Sequence, residues 1–307
     1  MEKTISQTLT TSDALHRFIS SGNRKAGSMI SRIVELTDLD IPGLQYYLTL
    51  KRPVLHREQG IFIIEGDKVI ERFLESNLTA ISFLLTPEWL ERCRERVDRR
   101  PEPVEIYVGS RKLFEQIIGF KYHQGVMGVA RVPVQPSLDQ VVSNVKGPVF
   151  LAAIENLESA ENVGVVVRNC AACGVHAIIV GETTADPYLR RAVRNSMGTV
   201  FSMTVIYSTN LIETIIECKE RYGIDVYAAH PRPGSFPLYD ADLTKSCCIV
   251  LGNEGKGVTE TLAQACTASL RIPMAPDVDS FNVACAGAIF FYEGLRQRFA
   301  SGKDRHS

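Results

Sequence analysis

The feature that most constrains this chain is a pair of strand–loop–helix junctions between Ser246 and Phe299. The predicted elements are a strand at 248–251, a glycine-punctuated loop at 252–257, a helix of small residues at 258–268, a strand at 270–272 and an amphipathic helix at 282–299. Helix N-termini present unpaired N–H groups, so two such junctions predict a concave rim lined by backbone donors. We expect a ligand to bind there.

Upstream of this stretch, strands alternate with helices of about ten residues, a pattern typical of layered α/β domains. Prolines 133, 136 and 148 and Gly147 interrupt the alternation and indicate a linker. The sequence therefore predicts an α/β protein in four parts. These are a polar N-terminal extension (1–40), a first α/β domain (41–132), a linker with a short helix near 138–142 (133–148), and a second α/β domain (149–307).

Composition is that of an ordinary globular protein, with 45% hydrophobic and 22% charged residues. No apolar run approaches the roughly 20 residues that a membrane span needs. The N-terminal residues also lack an apolar signal-peptide core. We therefore expect a soluble, cytoplasmic protein with no membrane partner.

The eight cysteines mostly lie within apolar patterns, where a free cysteine behaves as a small buried hydrophobe. Cys170 and Cys173 form a C-x-x-C motif, but no second Cys/His pair at zinc spacing accompanies it. We expect reduced, packed thiols and no metal site.

Net charge is −1, so the chain as a whole makes no electrostatic case for nucleic acid. Two local basic clusters differ from this average, and each is either a solvated helix face or a contact for an RNA phosphate backbone. The candidate RNA-contacting residues are Arg17, Arg24, Lys25, Arg32, Lys51, Arg52 and Arg57.

The loop GNEGKGVT (252–259) superficially resembles a phosphate-binding P-loop. Its Lys256 follows the first glycine by four residues, whereas that loop requires five, and no G-x-G-x-x-G motif follows a strand. ATP and dinucleotides are therefore not expected as ligands. The loop's glycines still frame Glu254, a carboxylate that serves either as a turn residue or as a placed ligand group.

Two further candidate sites follow strands of the second domain. The segment Asn162–Arg168 places an arginine in a very apolar helix, where it needs either an anion or an internal salt bridge. The segment Asp279–Asn282 precedes the last helix. Asp279 or Ser280 is expected to cap that helix, which leaves Asn282 without a structural explanation.

Three of these segments carry a resemblance to a known family. The segments NLESAENVGVVVRNCAACGV, IVLGNEGKGV and RIPMAPDVDSFNVACAGAIFFYE are similar to the three motifs of the SPOUT RNA methyltransferases, specifically the SpoU/TrmH 2'-O-ribose methyltransferases. The resemblance covers about residues 149–299, in the family's order and spacing. More loosely, FIIEG and HQGVMGV resemble the family's ribosomal-protein-like substrate-binding domain.

The resemblance implies S-adenosylmethionine as methyl donor, bound in a deep trefoil knot, a topology that folding rules alone would reject. Donor-contacting positions carried over from the family are Gly252, Asn253, Gly257, Ile272, Met274 and Phe281. Relatives usually have Leu where this chain has Phe281. Catalytic positions carried over are Asn162, Arg168, Glu254, Ser280 and Asn282.

Roles for these residues follow from the chemistry that the resemblance implies. Methyl transfer to a ribose hydroxyl needs proximity and an acceptor for the hydroxyl proton. An arginine is a poor base, so we expect Arg168 to clamp the target phosphate and stabilise the developing alkoxide. Glu254 is expected to orient Arg168, while Ser280 and Asn282 position the ribose or the loop. The family also implies a homodimer through the last helix, with each active site built from both subunits.

The leading hypothesis is 2'-O-methylation of a structured RNA, with ribosomal RNA favoured over transfer RNA. The alternatives are a tRNA methyltransferase, a resistance-type rRNA methyltransferase, or an RNA-binding protein that keeps the fold without catalysis. The presence of Asn162, Arg168, Glu254, Ser280 and Asn282 together argues against loss of catalysis.

Overall fold

The computed structural model describes residues 32–37, 41–119, 124–278 and 280–302. Arg17, Arg24, Lys25 and Asp279 lie outside these residues. The chain divides into two compact units, unit 1 at Met1–Val132 and unit 2 at Pro133–Ser307. No helix within the described ranges is long and apolar enough to cross a membrane.

Unit 1 contains a five-stranded mixed sheet in the order β1-β4-β3-β5-β2. Strands β1, β4 and β3 are parallel, and β5 runs antiparallel to both β3 and β2. The strands are β1 (Arg32–Glu35), β2 (Ile61–Glu65), β3 (Ala80–Leu85), β4 (Glu105–Val108) and β5 (Val126–Arg131). The helices are α1 (Gln45–Leu48), α2 (Pro53–Glu58), α3 (Asp67–Leu74), α4 (Pro87–Asp98) and α5 (Arg111–Ile118), with a 3-10 turn at Pro42–Leu44 before α1.

Apolar side chains cover both faces of the unit 1 sheet, which is why β2 (IFIIE) is buried along its whole length. On one face, Tyr47 of α1 and Phe114 of α5 pack against alternate residues of the strands. Elsewhere, Phe73 of α3 packs edge to face against Phe62 of β2 and Phe83 of β3. Strand β1 was not predicted: it lies inside the expected N-terminal extension, where pairing with β4 makes it part of the sheet.

Unit 2 contains a seven-stranded sheet, parallel throughout, in the order β10-β12-β9-β11-β6-β7-β8. The strands are β6 (Phe150–Ile154), β7 (Ala177–Val180), β8 (Thr204–Tyr207), β9 (Asp225–Ala229), β10 (Phe236–Pro237), β11 (Cys247–Leu251) and β12 (Ala268–Arg271). The helices are α6 (Leu138–Asn144), α7 (Ala160–Ala172), α8 (Arg190–Asn195), α9 (Leu211–Glu220), α10 (Glu260–Ala265) and α11 (Val283–Ala300), with 3-10 turns at Thr199–Phe201 and Leu238–Asp240.

The segment 133–148, predicted as a linker, belongs to unit 2. Ser137 caps α6 through a reciprocal capping box with Gln140, so the helix is well defined. Its buried residues Leu138 and Val141 join a core that also contains side chains from α9 and α10. Apolar burial therefore makes α6 part of the core of unit 2.

The cysteines behave as predicted for packed residues: seven are buried free thiols and only Cys285 is exposed. Burial raises the pKa of the Cys170 thiol well above its ordinary value. Within the described residues, no group of three or more His, Cys, Asp or Glu side chains is arranged to hold a metal ion.

Helix α11 is tied to the sheet by Arg298, whose side chain is only 1% exposed. Its guanidinium donates to the carbonyl oxygens of Leu243 (3.0 Å), Pro148 (2.9 Å) and Lys245 (2.6 Å), and lies 4.6 Å from the ring centre of Phe150. Among the described residues no carboxylate pairs with it. Backbone carbonyls, with the Phe150 ring and the Cys247 sulfur (3.7 Å), therefore compensate this buried charge.

We expect the substitution Arg298→Met to destabilise unit 2 by about 3–5 kcal/mol, because it leaves several buried carbonyls without donors. Urea unfolding followed by circular dichroism measures the change. Arg296→Met is the matched control, since Arg296 is exposed and, among the residues that the structure describes, pairs with Glu293 alone. Equal unfolding midpoints for the two variants would contradict this account of Arg298.

Candidate functional site

A cavity of about 230 Å³ opens where three neighbouring strands, β12, β9 and β11, end beside the first turns of α11. Ligands of open parallel sheets bind at this edge because the loops that follow the strands leave a crevice there. The lining residues are Ala229, His230, Pro231, Leu251, Gly252, Asn253, Glu254, Gly255, Lys256, Gly257, Leu270, Arg271, Ile272, Met274, Ser280, Phe281, Val283, Ala286 and Phe290.

The loop Gly252–Gly257 is closed on itself. Asn253 and Gly257 exchange two backbone hydrogen bonds (3.0 and 2.9 Å), and the Asn253 side-chain oxygen accepts from the N–H groups of Gly255 and Lys256. Gly252 lies so close to the returning chain that a Cβ there would stand 2.1 Å from the Gly257 carbonyl carbon. The backbone therefore needs glycine at 252.

The same loop is fastened to the segment that follows β6. The Asn253 side chain donates to the Asn156 carbonyl oxygen (2.8 Å). Just beyond the loop, Thr259 donates from both its hydroxyl and its N–H to the Glu155 carboxylate (2.6 and 2.8 Å). These contacts hold the loop in register with the N-terminus of α7, which starts a few residues further along.

Glu254 is the centre of a polar cluster beside the cavity. Its carboxylate accepts from the N–H groups of Glu158 (3.3 Å) and Ser159 (3.0 Å) and from the Asn162 side-chain amide (3.1 Å). The Asn162 oxygen in turn accepts from the Asn282 amide (3.2 Å). Three predicted catalytic residues, Asn162, Glu254 and Asn282, thus form one chain of hydrogen bonds.

Partial burial raises the pKa of Glu254, but the hydrogen bonds from Asn162 and from backbone N–H groups outweigh this effect. The net result is a pKa below the ordinary value of a glutamate. Glu254 is therefore ionised at neutral pH and occupied by donors, which suits it to hold the cluster together and not to accept a proton.

A carboxyl group whose folded-state pKa is lowered stabilises the fold above its unfolded pKa and loses this effect as pH falls through the folded value. We therefore expect Glu254→Gln to lower the urea midpoint at pH 7, and this difference from wild type to shrink below about pH 4 as Glu254 becomes protonated. Glu158→Gln is the control, because no hydrogen bond engages its side chain among the described residues. A pH-independent difference would contradict the assigned role.

Asn282, and not Ser280, caps the last helix. Its side-chain oxygen accepts from the N–H groups of Ala284 (2.9 Å) and Cys285 (3.4 Å). The expectation for Ser280 was wrong because the helix begins later, at Val283; Ser280 is exposed and lines the cavity. One Asn282 side chain thus serves as helix cap and as donor to Asn162.

Arg168 is exposed, and its side chain forms no hydrogen bond or ion pair with any described residue. The internal salt bridge considered from sequence is therefore absent, as is the expected contact between Arg168 and Glu254. Arg168 follows Asn162 by six residues, or about 9 Å along the axis of α7, and it does not line the cavity. Within a single chain, the Arg168 guanidinium therefore makes no contact with the Asn162–Glu254–Asn282 cluster.

The remaining predicted donor-contacting residues, Ile272, Met274 and Phe281, line the cavity together with the glycine loop. The sequence analysis missed His230, which follows β9 and also lines it. Its Nδ1 is buried and has no hydrogen-bond partner in the described structure. Gly257, at a φ of 68°, leaves room for this ring, since a Cβ there would lie 2.9 Å from Nδ1.

Comparison with known proteins identifies the family. The sequence model of the SpoU rRNA Methylase family matches residues 150–292. An uncharacterized tRNA/rRNA methyltransferase from Mycobacterium bovis is 31% identical over 271 residues, which is 86% of this chain and 92% of that protein. The chain belongs to the SpoU rRNA methylase family.

Two further SpoU relatives extend the comparison. A 23S rRNA (guanosine-2'-O-)-methyltransferase from Bordetella pertussis is 30% identical over 209 residues, covering 66% of this chain and 81% of that protein. The crystal structure of an AdoMet-bound rRNA methyltransferase from Sinorhizobium meliloti superposes with a TM-score of 0.74 at 25% identity, covering 86% of this chain and 98% of that one. The likeness thus extends beyond the residues matched by the family model.

The basic residues predicted to bind RNA lie in unit 1 of this SpoU protein. Lys51, Arg52 and Arg57 are exposed on and beside α2. Arg32, on β1, is exposed and lies 3.7 Å from the Glu105 carboxylate.

Proposed function

We propose that this protein is an S-adenosylmethionine-dependent RNA 2'-O-ribose methyltransferase that acts on ribosomal RNA in the cytoplasm. The observation that carries the proposal is the cavity at the ends of β12, β9 and β11, with Asn162, Glu254 and Asn282 hydrogen-bonded beside it. The choice of ribosomal RNA rests on the relatives whose names specify 23S or ribosomal RNA.

The cavity suits the methyl donor by its chemistry. Apolar side chains such as Ile272 and Phe290 line it beside the polar loop Gly252–Gly257, and the unpartnered Nδ1 of His230 lies at its wall. A ligand that joins an aromatic base to polar and charged groups matches this mixture. When bound, S-adenosylmethionine supplies a methyl group on a sulfonium.

The chain's own residues then position the acceptor. Glu254 fixes Asn162, and Asn162 and Asn282 hold each other beside the cavity mouth, where the ribose enters. A guanidinium is a poor base, so Arg168 clamps the target phosphate and stabilises the developing alkoxide. The hydroxyl proton leaves to that phosphate or to water.

The protein acts as a homodimer in this proposal. On α11, Cys285, Tyr292 and Phe299 are exposed and recur every seven residues, so they share one face of the helix; Tyr292 is 61% and Phe299 55% exposed. Such an apolar stripe is suited to contact a second copy. A dimer also allows Arg168 of one subunit to complete the site of the other.

Two finer features follow from the family resemblance. Strand β12 lies between β9 and β10, which are consecutive in the sequence, and the segment after β12 shares the cavity with the loop after β11. This arrangement supports a trefoil knot formed by the C-terminal segment. In unit 1, the exposed Lys51, Arg52 and Arg57 support its assignment as the RNA substrate-binding domain.

The test is methyl transfer from radiolabelled S-adenosylmethionine to 23S rRNA, 16S rRNA and tRNA transcribed in vitro. We expect incorporation into a ribosomal RNA, at a nucleotide that becomes resistant to alkaline cleavage because its 2'-hydroxyl is blocked. Incorporation into tRNA alone would overturn the choice of ribosomal RNA. RNA binding without incorporation into any transcript would favour a non-catalytic RNA-binding protein.

A further inference from the structure

Helix α8 carries an arginine cluster that was not among the RNA-binding residues predicted from the sequence. Between Pro187 and Ile212 the sequence contains three arginines, Arg190, Arg191 and Arg194, and no acidic residue. All three lie in the six residues of α8. In a chain with a net charge of −1, this is a local concentration of positive charge.

The cluster is unfavourable for the helix itself. Arg190 and Arg191 occupy the first turn of α8, where the macrodipole disfavours cations, and the first turn has no acidic residue and no side-chain cap. Local rules of helix stability therefore do not explain these arginines. Positions that break a local rule are frequently functional ones.

The fold presents the cluster beside the candidate site. Helices α7 and α8 pack closely at Gly164, where a Cβ would lie 2.3 Å from the Ala192 carbonyl oxygen. Arg191, with a side chain that is 70% exposed, pairs with Glu161 at 3.1 Å. Glu161 directly precedes Asn162, which binds the cavity residue Glu254.

The exposed face of this helix pair continues along both helices. Arg194 follows Arg191 by three residues and is also exposed, so the two side chains share one face of α8. On α7, Arg168 follows Glu161 by seven residues, about two turns, and therefore lies on the same side of that helix. We call Arg168, Arg191 and Arg194 the α7–α8 arginine surface.

We propose that Arg191 and Arg194 bind phosphates of the RNA strand next to the methylated nucleotide. Arginine presents a planar array of donors that matches phosphate oxygens, and several arginines on one surface hold a nucleic-acid backbone without reading its sequence. This inference rests on the proposed RNA methylation. It adds phosphate contacts on α8 to the one proposed for Arg168 and to those expected in unit 1.

The test compares Arg191→Gln/Arg194→Gln with wild type in binding to in-vitro-transcribed 23S rRNA across a salt series. We expect affinity to fall by at least about tenfold near 0.1 M salt, and the slope of log K against log [salt] to become shallower by about 1.4 to 1.8, since two phosphate contacts are lost. Binding of S-adenosylmethionine is expected to be unchanged. In methyl transfer, KM for RNA should rise more than kcat falls.

Arg221→Gln/Lys245→Gln is the matched control, because both residues are exposed in unit 2 and each pairs with a nearby acid. An unchanged salt slope in the α8 variant, or an equal change in the control, would overturn the proposal. A shift from dimer to monomer in light scattering would instead assign α8 to the subunit interface. If wild type methylates no transcript, the proposed function fails; if it does and the α8 variant matches it, only the present inference fails.

Discussion

A single added methyl group at residue 252 is expected to abolish binding of S-adenosylmethionine. The Cβ of Gly252→Ala would lie 2.1 Å from the Gly257 carbonyl carbon and 2.2 Å from the Val258 nitrogen. Both are backbone atoms, so relief requires the loop to open. Opening breaks the paired hydrogen bonds between Asn253 and Gly257, at a cost that corresponds to about a 100-fold weaker Kd or more.

Gly255→Ala provides the control three residues away in the same loop. Its added Cβ would meet only the Asn253 side-chain oxygen, at an ordinary 3.7 Å, and its backbone does not require glycine. Calorimetric titration with S-adenosylmethionine should therefore give nearly wild-type affinity for Gly255→Ala. If Gly252→Ala binds equally well while remaining folded, the cavity is not the donor site.

The glycine loop illustrates what the sequence could predict. A strand, clustered glycines and a helix start are local signals, so the element types and the position of the ligand-binding edge followed from neighbouring residues. The hydrogen-bond partners within the site could not be predicted from neighbouring residues. Asn162 is hydrogen-bonded to Glu254, 92 residues away in the sequence, and to Asn282, 120 residues away. Only the packed fold therefore shows that residues from the three candidate sites form one hydrogen-bonded cluster.

Arg168 shows why an apolar sequence context does not imply a buried side chain. Helix α7 buries Val163, Val166 and Val167 on its inner side, and the buried Gly164 packs against α8. A helix that is covered on two sides has a mostly apolar sequence, although one narrow stripe of its surface remains exposed. Arg168 lies on that stripe, so it needs no internal partner.

One short element escaped the sequence patterns, and another was predicted without its place in the core. Strand β1 has only four residues, too few to display a clear period, whereas the short helix expected near 138–142 is confirmed as α6. Pairing with β4 and burial against α9 and α10, respectively, decide their place in the fold. His230 was missed because its position at the cavity wall depends on Gly257, which is distant in the sequence.

Because Arg168 is exposed, its substitution is expected to have a large effect on methyl transfer. We expect Arg168→Ala to reduce methyl transfer by about 10³-fold while leaving the Kd for S-adenosylmethionine unchanged, because the proposed role of the guanidinium is to stabilise the transition state and Arg168 does not line the cavity. Arg168→Lys should recover only part of the activity, since a single ammonium cannot reproduce bidentate phosphate contacts. Lost donor binding would show that Arg168 supports the cavity structurally.

Mixed dimers distinguish the subunit that Arg168 serves. In a heterodimer of Arg168→Ala and Gly252→Ala chains, the Arg168→Ala chain has the intact cavity. The Gly252→Ala chain has the one remaining Arg168 side chain. If Arg168 acts across the interface, these two combine into one complete site, and the heterodimer retains about half of the wild-type activity per dimer. If it acts within its own chain, both sites are broken and activity stays at the level of the single variants.

Differently tagged chains, co-expressed and purified through both tags, provide the heterodimer, and each homodimeric variant provides its own background. Recovery of activity above both backgrounds would also establish that the dimer is required for catalysis. Such a requirement would explain why Arg168 has no partner among the described residues: an exposed cation loses little solvation, and in the proposed dimer it would gain its phosphate contact only when two subunits and the RNA meet.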